Sequence, residues 1–155
     1  MKNLDELKQF LIYSAQHGYG NDNRIERKES DGSSTIEVSN EDFKMSDNYF
    51  GGEPYGGRTV ISYKDQPAWI MVYYGGVVGD ILGIDTIYPY LKEQLSNPDV
   101  EIPVRGPLSN TKDKFEYKLT VEGSLEDFSG LEEIFYMGDL VFKTFIVGGL
   151  VDQKK

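Results

Sequence analysis

The residues able to do chemistry gather in three places. The first is the run Tyr49-Phe50-Gly51-Gly52-Glu53-Pro54-Tyr55-Gly56-Gly57, where one carboxylate sits among aromatics and paired glycines. The second is Tyr73-Tyr74-Gly75-Gly76. The third joins Arg105-Gly106-Pro107 with the adjacent acids Glu132 and Glu133. Aromatic faces receive an apolar or planar group, and glycine lets backbone approach a ligand closely. A guanidinium adds a handle for an anionic group. The candidate ligand-binding residues are therefore Tyr49, Glu53, Tyr55, Tyr73, Tyr74, Arg105 and Glu133. Two other readings stand beside this one. Arg105 can instead form a structural ion pair with an inward Glu, because a buried carboxylate is costly without a partner. Glu53 and Glu133 can form the acid–base pair of a hydrolase. Strand alternation does not settle whether Glu132 or Glu133 points inward, since Glu133 shares parity with Leu131 and Phe135, and Glu132 with Ile134 and Tyr136. The paired glycines also have a plain explanation as turn and bulge residues at strand ends.

Other chemistries fail on composition. The chain has no Cys and one histidine, His17, so disulfides, thiolate chemistry and any two-histidine zinc site are excluded. Neither a metal nor another cofactor is expected. Gly52 to Thr59 has the spacing of a phosphate-binding loop with Arg58 in the lysine position, but it leads into a strand rather than a helix. The formal charge is −10, which opposes a nucleic-acid surface, because phosphate contacts need clustered Lys and Arg. Residues 31–55 carry six carboxylates and one lysine, and residues 121–140 carry six carboxylates and no base. Such stretches are either solvated surface or a contact for a basic protein partner. The longest uncharged run, Gln66 to Gly79, falls short of the roughly 20 residues of a membrane helix, and the N-terminal residues do not resemble an export signal. A cytoplasmic protein without membrane contact is expected.

These side chains need a scaffold. The sequence, 155 residues with 20 aromatics and 17 glycines, reads as a single β-rich domain over 1–155. Asn3 and Glu6 form a capping box before Leu4, Leu7, Phe10, Leu11 and Ala15 at helical spacing, which predicts a helix over about 4–17. Strands follow over about 24–74, with hairpin turns at Asp31-Gly32 and Asp65-Gln66. The strand Ala68–Tyr74 is apolar on both faces, and the pattern predicts an interior strand covered on both sides. A second helix is expected over about 86–96, starting near Pro89, and residues 97–113 read as an irregular connection. Phe115 to Glu122 alternates cleanly, and strands over about 114–147 end in a hairpin at Gly138-Asp139. The fold class is α+β: one curved, mainly antiparallel sheet of about seven or eight strands with two helices packed on it.

Tyr49-Phe50-Gly51-Gly52-Glu53-Pro54-Tyr55-x-Gly57, then Pro67-x-Trp69-x-Met71-x-Tyr73-Tyr74-Gly75, resembles an uncharacterised bacterial and archaeal family known only as a domain of unknown function. Arg105-Gly106-Pro107, Phe128-x-Gly130-x-Glu132-Glu133-Ile134 and Gly148-Gly149 resemble its later motifs in the same order. The likeness covers roughly residues 5–150. It implies the structural plan and the candidate residues but lends no activity. Some relatives carry this domain behind a repressor-type helix-turn-helix. Too few residues precede the first strand here for such a reader, so DNA binding is not carried over. Three functions follow, in order: a small-molecule-binding or sensory module with an aromatic and glycine-lined pocket, an acidic antitoxin-like or immunity-like interaction protein, and a carboxylate hydrolase. The reading leans away from an enzyme.

Overall fold

Tight turns dictate the topology. A computed structural model describes residues 3–154. Its elements are α1 (Leu4–His17), β1 (Glu26–Lys28), β2 (Ser34–Asn40), β3 (Phe43–Gly51), β4 (Tyr55–Tyr63) and β5 (Gln66–Val77), then α2 (Ile84–Leu95), β6 (Ser109–Lys112), β7 (Phe115–Ser124), β8 (Asp127–Tyr136) and β9 (Asp139–Leu150). Every pairing is antiparallel, and the strands form one open sheet in the order β1-β2-β3-β4-β5-β9-β8-β7-β6. The β4–β5 turn is Lys64-Asp65, with φ of 50° and 62°, and the β8–β9 turn is Met137-Gly138, with φ of 50° and 87°. Two successive positive φ values are the type I′ geometry that matches strand twist. Both turns lie one residue before the positions expected from the sequence.

Nine strands are present among the described residues, rather than seven or eight. The additional one is β6, polar and exposed along its length, so no hydrophobic alternation marks it within the expected irregular connection. α2 begins at Ile84, earlier than expected, and holds Pro89 in its interior. Asp85 and Pro89 are both exposed, so the carbonyl that Pro89 cannot serve faces solvent, where the loss is mildest. α1 begins as expected, with Asn3 Oδ1 accepting from the Glu6 amide at 2.9 Å.

The core lies on one face of the sheet. Leu7, Phe10 and Leu11 of α1 and Ile87, Leu91 and Leu95 of α2 join Ile36, Ile61, Trp69, Met71 and Phe142 in a single apolar cluster. β5 is interior, as expected, but it is covered on one side only. Trp69, Met71 and Tyr73 are buried, while Val72 and Tyr74, which alternate with them, are exposed.

The chain also repeats its own plan. Each half is a helix followed by an antiparallel meander whose last strand carries Gly-Gly, and the two last strands pair at the sheet centre, Tyr73 opposite Ile146. Tyr55 faces Gly75 in the first half as Phe128 faces Gly148 in the second. The Tyr55–Phe142 stack in one half corresponds to the Trp69–Phe128 stack in the other. Trp69 and Phe128 are fully packed, and Trp69 Nε1 donates to the Leu125 carbonyl at 2.9 Å. The half around Tyr55 is hollow.

Candidate functional site

The hollow arises from glycines placed among aromatics. On the helix-covered face, Tyr49, Gly57 and Tyr73 lie side by side on β3, β4 and β5. The missing side chain at Gly57 leaves room between the two rings, and a Cβ there would stand 2.7 Å from Tyr49 Cα. The resulting cavity of about 470 Å³ is lined by Tyr19, Tyr49, Tyr55, Tyr73 and Tyr88, by the cations Arg24, Lys28 and Arg105, and by the acids Asp47 and Glu53. Ile84, Leu91 and Leu95 of α2 contribute its apolar side. This volume suits a small organic molecule.

Arg105 reaches the cavity from the loop after α2 and is held from behind. Its Nη2 donates to Glu132 Oε1 at 2.7 Å and to Tyr55 Oη at 3.2 Å, and its Nε donates to both Glu132 oxygens at 3.1 and 3.2 Å. Glu132 is 0% exposed and Arg105 side chain 10% exposed. Tyr117 Oη donates to Glu132 Oε2 at 2.5 Å and accepts the Gly106 amide at 3.0 Å. Tyr55 Oη also pairs with Thr144 Oγ1 at 2.8 Å. Burial works against the Arg105 charge, but the adjacent Glu132 carboxylate outweighs it and holds the guanidinium well above its ordinary pKa. Nη1 of Arg105 makes no hydrogen bond among the described residues, and the Arg105 Cζ lies 5.7 Å from the Tyr73 ring centroid. The buried Nε of Arg24 is likewise without a partner there.

Asp47 lies on the cavity wall beside this cation. Tyr73 Oη donates to Asp47 Oδ1 at 2.5 Å. Burial raises the Asp47 carboxyl to about 6, against the lowering influence of Tyr73 and Arg105. Burial and the hydrogen bond to Glu26 push the Tyr49 phenol up to about 12. Burial likewise brings Tyr55 to about 12. These phenols remain protonated donors at neutral pH. Glu53 fastens the β3–β4 loop over the cavity: Oε1 accepts the Val77 amide at 2.6 Å and Oε2 accepts the Tyr88 hydroxyl. Gly76 permits this closure, because a Cβ there would stand 3.0 Å from Pro54 Cβ.

Five of the seven residues singled out from the sequence thus meet at one cavity: Tyr49, Glu53, Tyr55, Tyr73 and Arg105. Tyr74 and Glu133 do not. Each follows an inward residue, Tyr73 or Glu132, so alternation turns it to the other face. The partner of Arg105 is Glu132, and Glu133 instead stands opposite the exposed Lys118 and Lys143. Glu53 and Glu133 lie on opposite faces and do not form a catalytic pair. Asp47 was not singled out, although it shares strand parity with Met45 and Tyr49. His17 is exposed, stacked on Tyr13. Among the described residues, no group of three or more His, Asp or Glu side chains is placed to hold a metal, and no helix is long and apolar enough to cross a membrane.

Residues 47–151 match the family described as Domain of unknown function (DUF5680), and the chain belongs to that family. The matched region includes Asp47, Glu53, Tyr55, Tyr73, Arg105 and Glu132, whereas Tyr19, Arg24 and Lys28 of the cavity precede it. No curated protein and no solved structure matches the chain significantly.

Two outcomes follow from the charges. Arg105→Met strands the Glu132 charge and should destabilise the fold by about 3–5 kcal/mol. Adding Glu132→Gln should recover most of that loss in urea unfolding, and adding Glu133→Gln should recover none. For Asp47, the folded state binds its proton more tightly than the unfolded chain does. Its contribution to stability is therefore greatest at low pH and declines as pH rises from about 4 to about 6. Unfolding of wild type and Asp47→Asn across that range should show the decline only in wild type.

Proposed function

We propose that this domain binds a small, planar anionic molecule in the Tyr49–Tyr55–Tyr73 cavity. The observation that carries this reading is the pair of guanidinium groups, Arg24 and Arg105, lining an aromatic cavity, with the buried Arg24 Nε unpartnered among the described residues. An unsatisfied buried donor costs free energy, and an anionic ligand supplies the acceptor. The cavity has three cationic side chains against two acidic ones in a chain whose formal charge is −10. That local inversion of sign favours an anion. One of the two acids, Glu53, is occupied by Val77 and Tyr88, and the other, Asp47, is readily protonated. The phenol rings offer faces for a planar group and hydroxyls for its polar edge.

The interaction-protein reading fares less well. Its support was the acid-rich character of residues 31–55 and 121–140. Those stretches fall on opposite wings of the sheet, β2–β4 on one side and β7–β8 on the other, and Asp47, Glu53 and Glu132 point inward to partners. No single acidic face results. A sensory role, in which occupancy of the cavity is reported to a partner, is compatible with binding alone.

Calorimetric titration with 2-naphthoate tests the proposal. Binding is expected to tighten several-fold as pH falls from 7.5 toward 5.5, because protonating Asp47 removes a negative charge beside the ligand carboxylate. In Asp47→Asn the affinity should be higher at pH 7.5 and nearly constant over the same range. Equal affinity for the neutral 2-naphthamide would overturn the anionic assignment, and heats indistinguishable from dilution for both compounds would overturn the cavity as a binding site.

A further inference from the structure

The face of the sheet opposite the helices carries an uncovered apolar band. Tyr74, Phe145 and Val147 are 62%, 53% and 55% exposed. Register places them together: Tyr74 opposite Phe145, Val72 opposite Val147, and Phe145 next to Leu131. Phe50 extends the Tyr74 row beyond Gly56, where no side chain intervenes. These are the central strands of the sheet, so the band lies in the middle of the face rather than at an edge. Singly exposed hydrophobics are ordinary, but a contiguous band across central strands is the pattern of an interaction surface.

We propose that this face docks a second copy of the chain, giving a symmetric dimer by sheet-on-sheet packing with the helices and their cavities turned outward. Two features favour a copy as the occupant. The face is electrically balanced although the chain is acidic: Arg58, Lys118 and Lys143 surround the band together with Glu122, Asp127 and Glu133. A copy therefore meets neither net repulsion nor an unmatched sign, whereas a strongly basic partner would find no charge surplus here. The area is sufficient as well. The strands from β3 to β7 in sheet order, at ~4.8 Å spacing and over about six residues of ~3.4 Å rise, cover roughly 600 Å² in projection. Side-chain relief brings this near the ~800 Å² per partner of a stable interface.

Sedimentation velocity on the full chain, from low to high micromolar concentration, tests the proposal. Wild type is expected to sediment at twice the chain mass, with the dimer fraction rising with concentration. Val147→Glu and Phe145→Ser should each weaken the dimer at least roughly tenfold. Because both positions are solvent-exposed in the single chain, the melt and the emission of the buried Trp69 should stay those of folded protein. Mixing Val147→Glu with Val147→Lys should restore a dimer that neither forms alone. A wild-type monomer throughout the range would overturn the proposal, whatever other molecule bound the face. So would folded Val147→Glu and Phe145→Ser chains that dimerise as wild type does.

Discussion

The buried ion pair between Arg105 and Glu132 is the constraint on which the arrangement depends. Glu132 sits on β8 near the middle of the sheet with no exposure, and an uncompensated carboxylate there would be intolerable. Its two oxygens are satisfied by Arg105 and Tyr117, which ties the loop after α2 to β8 and β7. Through Tyr55 the same guanidinium reaches β4, and through Thr144 the network reaches β9. An ion pair of this kind is a weak source of stability, since apolar residues of like volume often serve as well. What it supplies is position: a cation at the cavity wall whose Nε and Nη2 are held by Glu132 and Tyr55.

The cavity and the outer apolar band are two consequences of one pair of strands. β5 and β9 alternate inward and outward, so Tyr73 contributes to the hollow while its neighbour Tyr74 contributes to the band. Glycine governs both. Gly57 leaves the space between Tyr49 and Tyr73, and Gly56, one residue earlier and facing the other way, leaves Tyr74 and Phe50 without a barrier between them. The two halves of the chain share a plan, yet only one is hollow. Trp69 and Phe128 fill the second with large, fully buried rings, whereas Tyr55 in the first presents a hydroxyl to Arg105 and Thr144. A polar atom at that position needs partners, and the partners bring charge to the wall of the hollow.

Much of this was legible in the sequence, for definite reasons. The helix at Leu4 to His17 has a cap and a clear period, and Phe115 to Glu122 alternates without exception. Tyr49, Tyr55 and Arg105 stand out because aromatic faces, glycines that permit close approach and a cation that serves as a polar handle make up the chemistry of a binding pocket. The misses share a cause: they concern facts set by long-range pairing. β6 has no apolar residue to betray it. Lys64-Asp65 adopts positive φ without the Asn or Gly that usually signals it. The apolar run Ala68–Tyr74 announces a strand with two apolar faces, but not whether the second is covered by its own chain. Whether Glu132 or Glu133 turns inward depends on the register with β7 and β9, which local alternation leaves undetermined. Asp47 lies in plain alternation with Met45 and Tyr49, and the inward parity of those two residues is the local signal that could have marked it.

We propose that Arg105, held by Glu132, meets the anionic ligand through Nη1, which makes no hydrogen bond among the described residues. Heteronuclear magnetic resonance of arginine-labelled protein reads that nitrogen directly during addition of 2-naphthoate. The Arg105 Nη resonances are expected to shift and saturate with the calorimetric midpoint, while the exposed Arg58 on the opposite face stays unmoved. Saturation of the calorimetric signal with Arg105 unperturbed would contradict it.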